Sequence, residues 1–550
     1  MKKTIRLDMW KGISFFFLAL FLLILVYPLF GILRQSVISG EGQFTFAEFQ
    51  KFFSQPYYTK TIINSLTVSI AITLATLLIG VPFAYFYSFY QLKGAKFLFV
   101  IAILCTMSAP FIGAYSWIML LGRSGLITKF IRDAFGIRIG SIYGFNGILL
   151  VQALKLFPLV FIYMNGVFKN IDSTLLEAAE NMGCTGIKRF FKVIIQLAMP
   201  TILAASLLVF MRAFADFGTP LLIGEGYRTF PVEIYNQYLG ENGTNYSFAS
   251  AISVIAILVT TAIFFLQKWI TKRYNFPISA LHPVTKKTPK GIRGVLMYVY
   301  CYALIAIAFL PQLYIVYLSF RNMDGAVIKD GFSLGNFEMA SKRLLGRSVS
   351  NTLIFGAVAL IIIILFAILI SYLVVRRSNP LNNGIDTLAM IPYIMPGSVI
   401  GIALVIAFGK QPFALTGTAA IMIMALVIRR MPYTIRSATA TLQNIPISTE
   451  EAAISLGASK LKTFARVTVP MMGNGIISGA VLSWVAIVTE LSSAIILYNN
   501  RNITMTMSAY VAISRGNYGL AAAFSTLLTA LTTVSLIVYL WLSKSEDIKL

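Results

Sequence analysis

The sequence EAAENMG at Glu177–Gly183 returns as EAAISLG at Glu451–Gly457, so that the two copies lie 274 residues apart (451 − 177 = 274). Farther upstream, Asn64-Ser-Leu matches Asn351-Thr-Leu at an offset of 287 (351 − 64 = 287). Both offsets are close to half of the 550 residues. A repeat of this period indicates a duplicated module, and not a solenoid of short units.

The composition is that of a membrane protein. Hydrophobic residues make up 58% of the chain, charged residues 12%, and the mean hydropathy is +0.80, whereas a soluble domain is about half apolar and about a quarter charged. Many apolar runs approach the ~20 residues that a helix needs to span the hydrocarbon core. Helices are expected, because lipid cannot hydrogen-bond to an open backbone. The sequence therefore predicts an all-α polytopic membrane protein.

Twelve spans are predicted, six in each half of the sequence, which agrees with the duplication. Because each half has an even number of spans, the repeat is predicted to be parallel, about an axis normal to the membrane. The domains predicted are a first module at 1–270, a cytoplasmic linker at 271–295 and a second module at 296–550. The predicted spans are 13–33, 62–88, 97–121, 143–167, 198–217, 248–270, 296–319, 350–375, 384–408, 416–432, 474–497 and 520–541.

The formal net charge of +25 is better explained by basic residues that flank spans on the cytoplasmic side than by nucleic-acid binding. With the N-terminus inside, most Lys and Arg residues, Arg429 and Arg430 among them, fall in predicted inside segments. Both termini are therefore predicted to be cytoplasmic. The three scattered cysteines and the single histidine, His282, have no metal-ligand spacing, so no metal site is predicted.

Two long loops, 168–197 and 433–473, carry the repeated sequence and are called the motif loops below. Asp172, Ser173 and Thr174 are N-cap candidates in the first, and Ser448 and Thr449 are N-cap candidates in the second. Glycine then ends each short helix, since it adopts the left-handed conformation that a sharp turn requires. Each motif loop is thus predicted to hold two short helices joined at a glycine.

This pattern resembles the coupling-loop signature of ABC importer permeases: Glu-Ala-Ala, three residues, Gly, nine residues, then an aliphatic residue closely followed by Pro. The alternative is a chance match of two ordinary amphipathic loop helices. The second copy fits fully, whereas the first has Gln196 where the signature has proline. The matching residues are Glu177, Ala178, Ala179, Gly183 and Val193 in the first copy, and Glu451, Ala452, Ala453, Gly457, Val467 and Pro470 in the second.

The resemblance implies a type I importer permease of the bacterial cytoplasmic membrane. Its motif loops would dock two copies of a cytoplasmic ABC ATPase subunit, and an extracytoplasmic binding protein would deliver the solute. The chain has no G-x-x-x-x-G-K-[ST] phosphate loop. It is therefore not expected to be an enzyme, and ATP and Mg²⁺ would bind to the partner ATPases; no cofactor is expected in this chain.

Ionisable residues within spans are candidates for function. Arg212 and Asp216 lie four positions apart in the fifth predicted span, and Glu490 occupies the position of Asp216 in the eleventh (216 + 274 = 490). These three are candidates for lining the translocation path. The alternative is structural: a local Arg212–Asp216 ion pair, with Glu490 bound to a backbone or hydroxyl group.

The sequence Ala-Asp-Phe-Gly-Thr-Pro at 215–220 resembles a signature of ferric-iron permeases that fuse two modules, and Thr-Glu-Leu-Ser-Ser at 489–493 is similar to the second-module segment. On that resemblance Fe(III) is the expected solute. Fused permeases for phosphonate, thiamine or sugar phosphates share the architecture and remain alternatives. An ion-coupled secondary transporter is a further alternative, to which the two motif loops are an objection.

Overall fold

The computed structural model describes residues 9–38, 42–107, 110–137, 140–239, 245–273, 284–325, 327–343 and 345–543. The predicted linker residues 274–283, with His282, and the two termini at 1–8 and 544–550 lie outside the described residues. In the first half the helices are α1 (Met9–Phe21), α2 (Tyr27–Val37), α3 (Ala47–Ser54), α4 (Pro56–Phe89), α5 (Ala95–Met107), α6 (Pro110–Leu121), α7 (Leu126–Phe135), α8 (Phe145–Lys169), α9 (Ser173–Asn181), α10 (Gly186–Arg189), α11 (Ile195–Phe214), α12 (Gly218–Ile223), α13 (Phe230–Leu239) and α14 (Tyr246–Arg273).

The second half has thirteen described helices and one hairpin of two antiparallel strands, β1 (Arg321–Asp324) and β2 (Val327–Phe332). Among the described residues there are three π-helical turns, at Leu22–Val26, Phe190–Ile194 and Phe464–Thr468. The helices are α15 (Gly291–Ser319), α16 (Gly335–Arg343), α17 (Leu345–Arg376), α18 (Pro380–Ile394), α19 (Gly397–Phe408), α20 (Ala419–Gln443), α21 (Ser448–Ser455), α22 (Lys460–Thr463), α23 (Val469–Met471), α24 (Gly473–Val488), α25 (Ala494–Leu497), α26 (Met505–Ser514) and α27 (Tyr518–Ser543).

The prediction of an all-α polytopic membrane fold is confirmed. Within the described residues, eight helices are long and apolar enough to cross a membrane, and the number rises to as many as 11 if each of three bent helix pairs is one span. The remaining predicted span, 416–432, lies on α20, which carries Arg429 and Arg430 near its middle and Arg436 farther on. Each of the twelve predicted spans therefore coincides with a helix or with a bent pair.

The bends are features that hydropathy did not predict. Helices α18 and α19 meet at 113°, and the helices on either side of residues 108–109 meet at 100°. The two breaks are equivalent in the repeat, because Pro110 and Pro396 begin the second helix of each pair (396 − 110 = 286). Proline has no backbone N–H and disfavours the helical conformation in the residue before it, so each third span breaks there.

The described residues fall into two compact units, and each unit draws on both halves of the sequence. Unit one lies within Met1–Lys51, Ile234–Ile255 and Ser319–Leu550, and unit two within Phe52–Glu233 and Ala256–Leu318. In unit one, α1 packs on α18 and α2 packs on α19. In unit two, α15 packs on first-half helices, where the Tyr300 hydroxyl donates to the carbonyl of Ile79 at 2.7 Å. The module bounds derived from the repeat remain a prediction, since the two compact units are defined by contacts in space and the modules by the repeat in sequence.

The repeated Asn-Ser/Thr at the start of the second span holds an extended segment in each unit. In unit two the Asn64 amide donates to the carbonyl of Arg228 at 3.0 Å. In unit one the Asn351 amide donates to the carbonyls of Arg501 and Ile503, both at 2.9 Å. The next residue repeats this pattern: the hydroxyl of Ser65 accepts from the Phe230 N–H, and that of Thr352 from the Met505 N–H. The repeated sequence thus satisfies backbone that no helix covers.

Replacing Asn351 with Ala is expected to leave two carbonyls without their donor and to lower the free energy of unfolding by about 1–3 kcal/mol. The measurement is the thermal unfolding midpoint of the detergent-solubilised protein. The matched control is Asn383→Ala at an exposed position of α18, for which a change within about 0.5 kcal/mol is expected. Equal midpoints for the two variants would contradict this role of Asn351.

Candidate functional site

The first motif loop folds as predicted, with a capped helix that ends at glycine. The Asp172 carboxylate accepts from the Thr174 N–H at 3.0 Å and so caps α9. At the other end Gly183 has φ +75°. Its N–H donates to the carbonyl of Glu180 at 2.9 Å, and the Cys184 N–H donates to that of Ala179 at 2.8 Å. This is a Schellman motif, which needs a left-handed residue at the glycine position.

The second motif loop repeats the glycine turn but not the cap. Gly457 has φ +89°, its N–H donates to the carbonyl of Ile454 at 2.9 Å, and the Ala458 N–H donates to that of Ala453 at 3.1 Å. The predicted cap at Ser448 or Thr449 is wrong, because α21 begins at Ser448 and the preceding Ile447 makes no side-chain capping bond.

The two motif loops present the same residues to the outside. Glu177 and Ala178 are exposed, as are Glu451 and Ala452, while Ala179 and Ala453 are half-buried. Next to each glycine lies a large apolar side chain with little cover: Met182 is 86% exposed and its equivalent Leu456 is 90% exposed. Ile187 and its equivalent Leu461 are exposed as well. We call Met182, Ile187, Leu456 and Leu461 the apolar tips.

A π-helical turn follows the short helices at the same register in both copies, Phe190–Ile194 and Phe464–Thr468. Such turns are frequent at functional sites, and no residue pattern in the sequence predicted them. Beyond the turns the two copies differ. The helix Gly186–Phe214 is not broken, whereas Lys460–Met471 and Gly473–Val488 meet at 64°. The bend occurs in the copy that has Pro470 where the first copy has Gln196.

Asp216 and Glu490 each cap a break in the backbone. The Asp216 carboxylate accepts from the N–H of Thr219 at 3.0 Å, beside α12. The Glu490 carboxylate accepts from the N–H of Ser493 at 3.0 Å, beside α25. Both bonds join residues i and i+3, and both lie just after the end of a span. The two acids of the repeat therefore share a structural role, one that satisfies backbone donors where the helix stops.

Their side-chain partners differ. Asp216 also accepts from the side-chain amide of Gln152 at 2.9 Å. Glu490, whose side chain is only 2% exposed, accepts from both Arg429 and Arg430. Arg429 donates to the Ser492 hydroxyl as well. Two guanidinium groups on one carboxylate leave the described cluster with an excess of positive charge.

The assignment of Arg429 and Arg430 to the cytoplasmic flank of a span stays a prediction, but their burial was not expected. Both lie within α20, and their side chains are only 11% and 15% exposed. Gly397, at the start of α19, is packed against this cluster, since a β-carbon there would lie 2.1 Å from both Arg429 and the Ser492 hydroxyl. A signal was available in the sequence: Arg429 stands at the register of Lys155 (155 + 274 = 429), so both copies place a cation in this helix.

Arg212 lies on α11, two positions before its end. The path-lining role of Arg212, Asp216 and Glu490 stays a prediction, as does the Arg212–Asp216 pair. Within the described residues, no group of three or more His, Cys, Asp or Glu side chains is placed to hold a metal ion.

Comparison with known proteins places the chain among transport proteins. The ferric transport system permease protein FbpB of Actinobacillus pleuropneumoniae is 28% identical over 98% of this chain and 80% of its own length. The putative ferric transport system permease protein FbpB 1 of Haemophilus influenzae is 29% identical over 90% and 79%, respectively. Among solved structures, a bacterial alginate ABC transporter in complex with a pentasaccharide-bound periplasmic protein matches 46% of this chain and 91% of its own at 17% identity and a TM-score of 0.39.

A match to a protein-family pattern shows the family of the chain. The pattern described as "Binding-protein-dependent transport system inner membrane component" matches twice, at residues 80–276 and 363–546. The two matches cover more than half of the chain and fall one in each half, as the repeat predicts. The protein is a two-module member of the binding-protein-dependent transport system inner membrane component family.

Proposed function

We propose that this chain is the permease of an ATP-driven importer, which receives Fe(III) from an extracytoplasmic binding protein and releases it to the cytoplasm by alternating access. The observation that carries the proposal is the pair of motif loops, which expose equivalent faces at an offset of 274 residues. Two equivalent faces fit two copies of one partner. The proposed partner is a cytoplasmic ABC ATPase subunit, which binds the ATP and Mg²⁺ that this chain has no phosphate loop to hold.

The proposed contact consists of the Glu-Ala-Ala faces and the apolar tips. Exposed apolar side chains on a polar loop are typical of interaction sites. The small side chains of Ala178 and Ala452 allow a partner backbone to approach closely. The Schellman turns at Gly183 and Gly457 fix the positions of the neighbouring Met182 and Leu456. α10 leads through a π-helical turn into α11 without a break. A movement of the first motif loop, imposed by the ATPase, would therefore be transmitted directly to the membrane span.

The solute is inferred from the relatives. The two ferric permeases align with most of this chain, and the chain in turn covers about four fifths of each. Permeation of an ion requires weak and transient contacts, so a strong metal site is not needed along the path. We further propose that both motif loops and both termini face the cytoplasm, and that the Arg429–Arg430–Glu490 cluster and the Asp216 region border the path.

A secondary transporter would move solute with no ATPase. The exposed tips at equivalent positions of both copies favour the ATP-driven importer, because an ion-coupled carrier has no use for a repeated docking face. The two functions are distinguished by the dependence of uptake on ATP.

Introducing a charge at one apolar-tip residue in each copy, with Met182→Asp and Leu456→Asp together, is expected to abolish ATPase binding. A carboxylate at the centre of a contact loses its hydration, and loss of a central apolar anchor costs about 2 kcal/mol or more, so retention should fall by more than about tenfold. The measurement is the amount of P-loop ATPase that co-purifies with the solubilised chain.

The matched control is Phe332→Asp, an equally drastic change at an exposed residue of β2, which should retain the ATPase. Full retention by a folded double variant would show that docking occurs elsewhere. If no ATPase accompanies the wild type, the importer proposal itself is wrong.

In proteoliposomes that contain the chain with its ATPase, Fe(III) supplied on the binding protein should accumulate inside only when ATP is present. Thiamine, a phosphonate or a sugar phosphate, supplied in the same way, should not compete for uptake. Competition by one of these would replace Fe(III) as the proposed solute and leave the importer intact. Uptake driven by an ion gradient with no ATP would instead establish the secondary transporter.

Glu490→Gln is expected to lower the free energy of unfolding by about 3–5 kcal/mol, the usual effect of losing one partner of a buried ion pair. The reason is that Arg429 and Arg430 stay buried without a carboxylate. Asp216→Asn, at the equivalent position, keeps a hydrogen-bond acceptor for the Thr219 N–H, so a loss of about 1 kcal/mol in the free energy of unfolding is expected. Thermal unfolding of the two variants measures the difference. The surface control is Glu225→Gln, whose pair with Arg123 is exposed and is worth at most about 1 kcal/mol.

A further inference from the structure

The two motif loops are attached to their membrane spans by different chemistry. In the second copy, Glu450 on α21 is buried, although it immediately precedes the exposed Glu451. Its carboxylate accepts from the Arg376 Nε at 2.7 Å and from the Tyr372 hydroxyl at 3.3 Å. Arg376 also donates to the backbone carbonyl of Ile445 at 2.7 Å. One guanidinium therefore binds both the α20–α21 connection and α21 to the end of α17.

The ion pair is largely shielded from water, since the side chains of Arg376 and Glu450 are only 9% and 10% exposed. Such a pair is held in one geometry, unlike the exposed pair between Arg189 and Glu180 in the first copy, where the Glu180 side chain is half exposed. A buried pair is also intolerant of losing one partner, because the remaining charge has no water to solvate it.

Three aromatic rings pack beside the ion pair. Trp10 lies 4.5 Å from Tyr372 and 5.1 Å from Phe464, and Tyr372 lies 4.8 Å from Phe464, all between ring centroids. Phe464 begins the π-helical turn that follows the motif, and Trp10 belongs to α1. The cluster thus joins α1, α17 and the motif loop at one point of unit one.

The first copy has apolar residues at the ion-pair positions. Glu450 corresponds to Leu176 (450 − 274 = 176) and Arg376 to Phe89 (376 − 287 = 89), and both are buried. The aromatic contact is kept, since Tyr85, which corresponds to Tyr372, lies 4.8 Å from Phe190, which corresponds to Phe464. The aromatic contact is therefore duplicated, while the residues at the two ion-pair positions are apolar in one copy and charged in the other.

We infer that Arg376 and Glu450 are positioning residues that transmit movement of the second motif loop to α17, and that this ion pair, which has Phe89 and Leu176 at the equivalent positions of the first copy, makes the two loops unequal in coupling ATP hydrolysis to transport. The inference rests on the proposed function. An apolar contact can slide while its buried area changes little, whereas a buried ion pair is directional and resists displacement. A displacement of the second motif loop should therefore move α17 by a larger fraction of that displacement than the first motif loop moves α4.

The test uses the full complex, reconstituted in proteoliposomes with the ATPase that co-purifies with it and with the binding protein, and measures solute imported per ATP hydrolysed. Glu450→Gln should lower this ratio by about fivefold or more, the usual lower bound for coupling between sites, while the ATPase remains bound and continues to hydrolyse ATP. The exchanged pair Arg376→Glu with Glu450→Arg should restore the ratio in part, since it rebuilds the ion pair in reverse but loses the bond from residue 376 to the Ile445 carbonyl.

Two variants separate coupling from stability. Arg376→Phe with Glu450→Leu places the first-copy residues in the second copy. This variant should have the wild-type unfolding midpoint, but its ratio of solute imported to ATP hydrolysed should stay low. The matched control is Leu176→Met in the first copy, which should leave both unchanged. A ratio at the wild-type value in folded Glu450→Gln, or in the Phe–Leu pair, would overturn the inference and leave the importer proposal intact. Failure of the wild type to bind an ATPase would instead refute the proposed function.

Discussion

A chain within hydrocarbon has to satisfy its own backbone hydrogen bonds, and the arrangement of this protein follows from that constraint. Continuous helices meet it without help. Where a span stops, a polar side chain has to take over: Asp216 and Glu490 accept the free N–H groups after the fifth span of each copy, and Asn64 and Asn351 donate to the carbonyls of the extended segments that follow. The polar residues of the repeat therefore mark the places where the helices end.

Duplication has preserved backbone conformation more strictly than side-chain chemistry. The glycine turns, the π-helical turns and the breaks at Pro110 and Pro396 recur at matched registers. The groups around them have changed. The amide of Gln152 binds Asp216, whereas two arginines bind Glu490. The positions of the Arg376–Glu450 ion pair in the second copy are held by buried apolar residues in the first. A backbone turn depends on local geometry alone, whereas its support depends on neighbours that each copy can replace independently.

The spans and the motif turns were predictable because they depend on local sequence. An apolar run fixes a helix in lipid whatever packs on it, and a glycine with positive φ is required wherever a Schellman turn occurs. The burial of Arg429 and Arg430 was not predicted because hydropathy treats every arginine as a charge that seeks water, and Glu490, 60 residues away from Arg430 (490 − 430 = 60), supplies the compensation. The ion pair of Arg376 with Glu450 was missed for the same reason: its partners are distant in sequence. Bend angles and the composition of the two units likewise depend on tertiary packing, which no single stretch of sequence encodes.

The composition of the units also sets an order of events during synthesis. Unit two contains no residue beyond Leu318, so it can be completed while the ribosome is still translating. Unit one cannot, because α1 and α2 pack on α18 and α19, which begin 343 residues after α2 ends (380 − 37 = 343). At about 5–20 residues per second, the single span formed by α1 and α2 waits roughly 17–70 s in the bilayer before its partners exist. During that interval α1 and α2 lack these partners, so two of the first helices to be made reach these contacts only after more than half of the 550 residues have been translated.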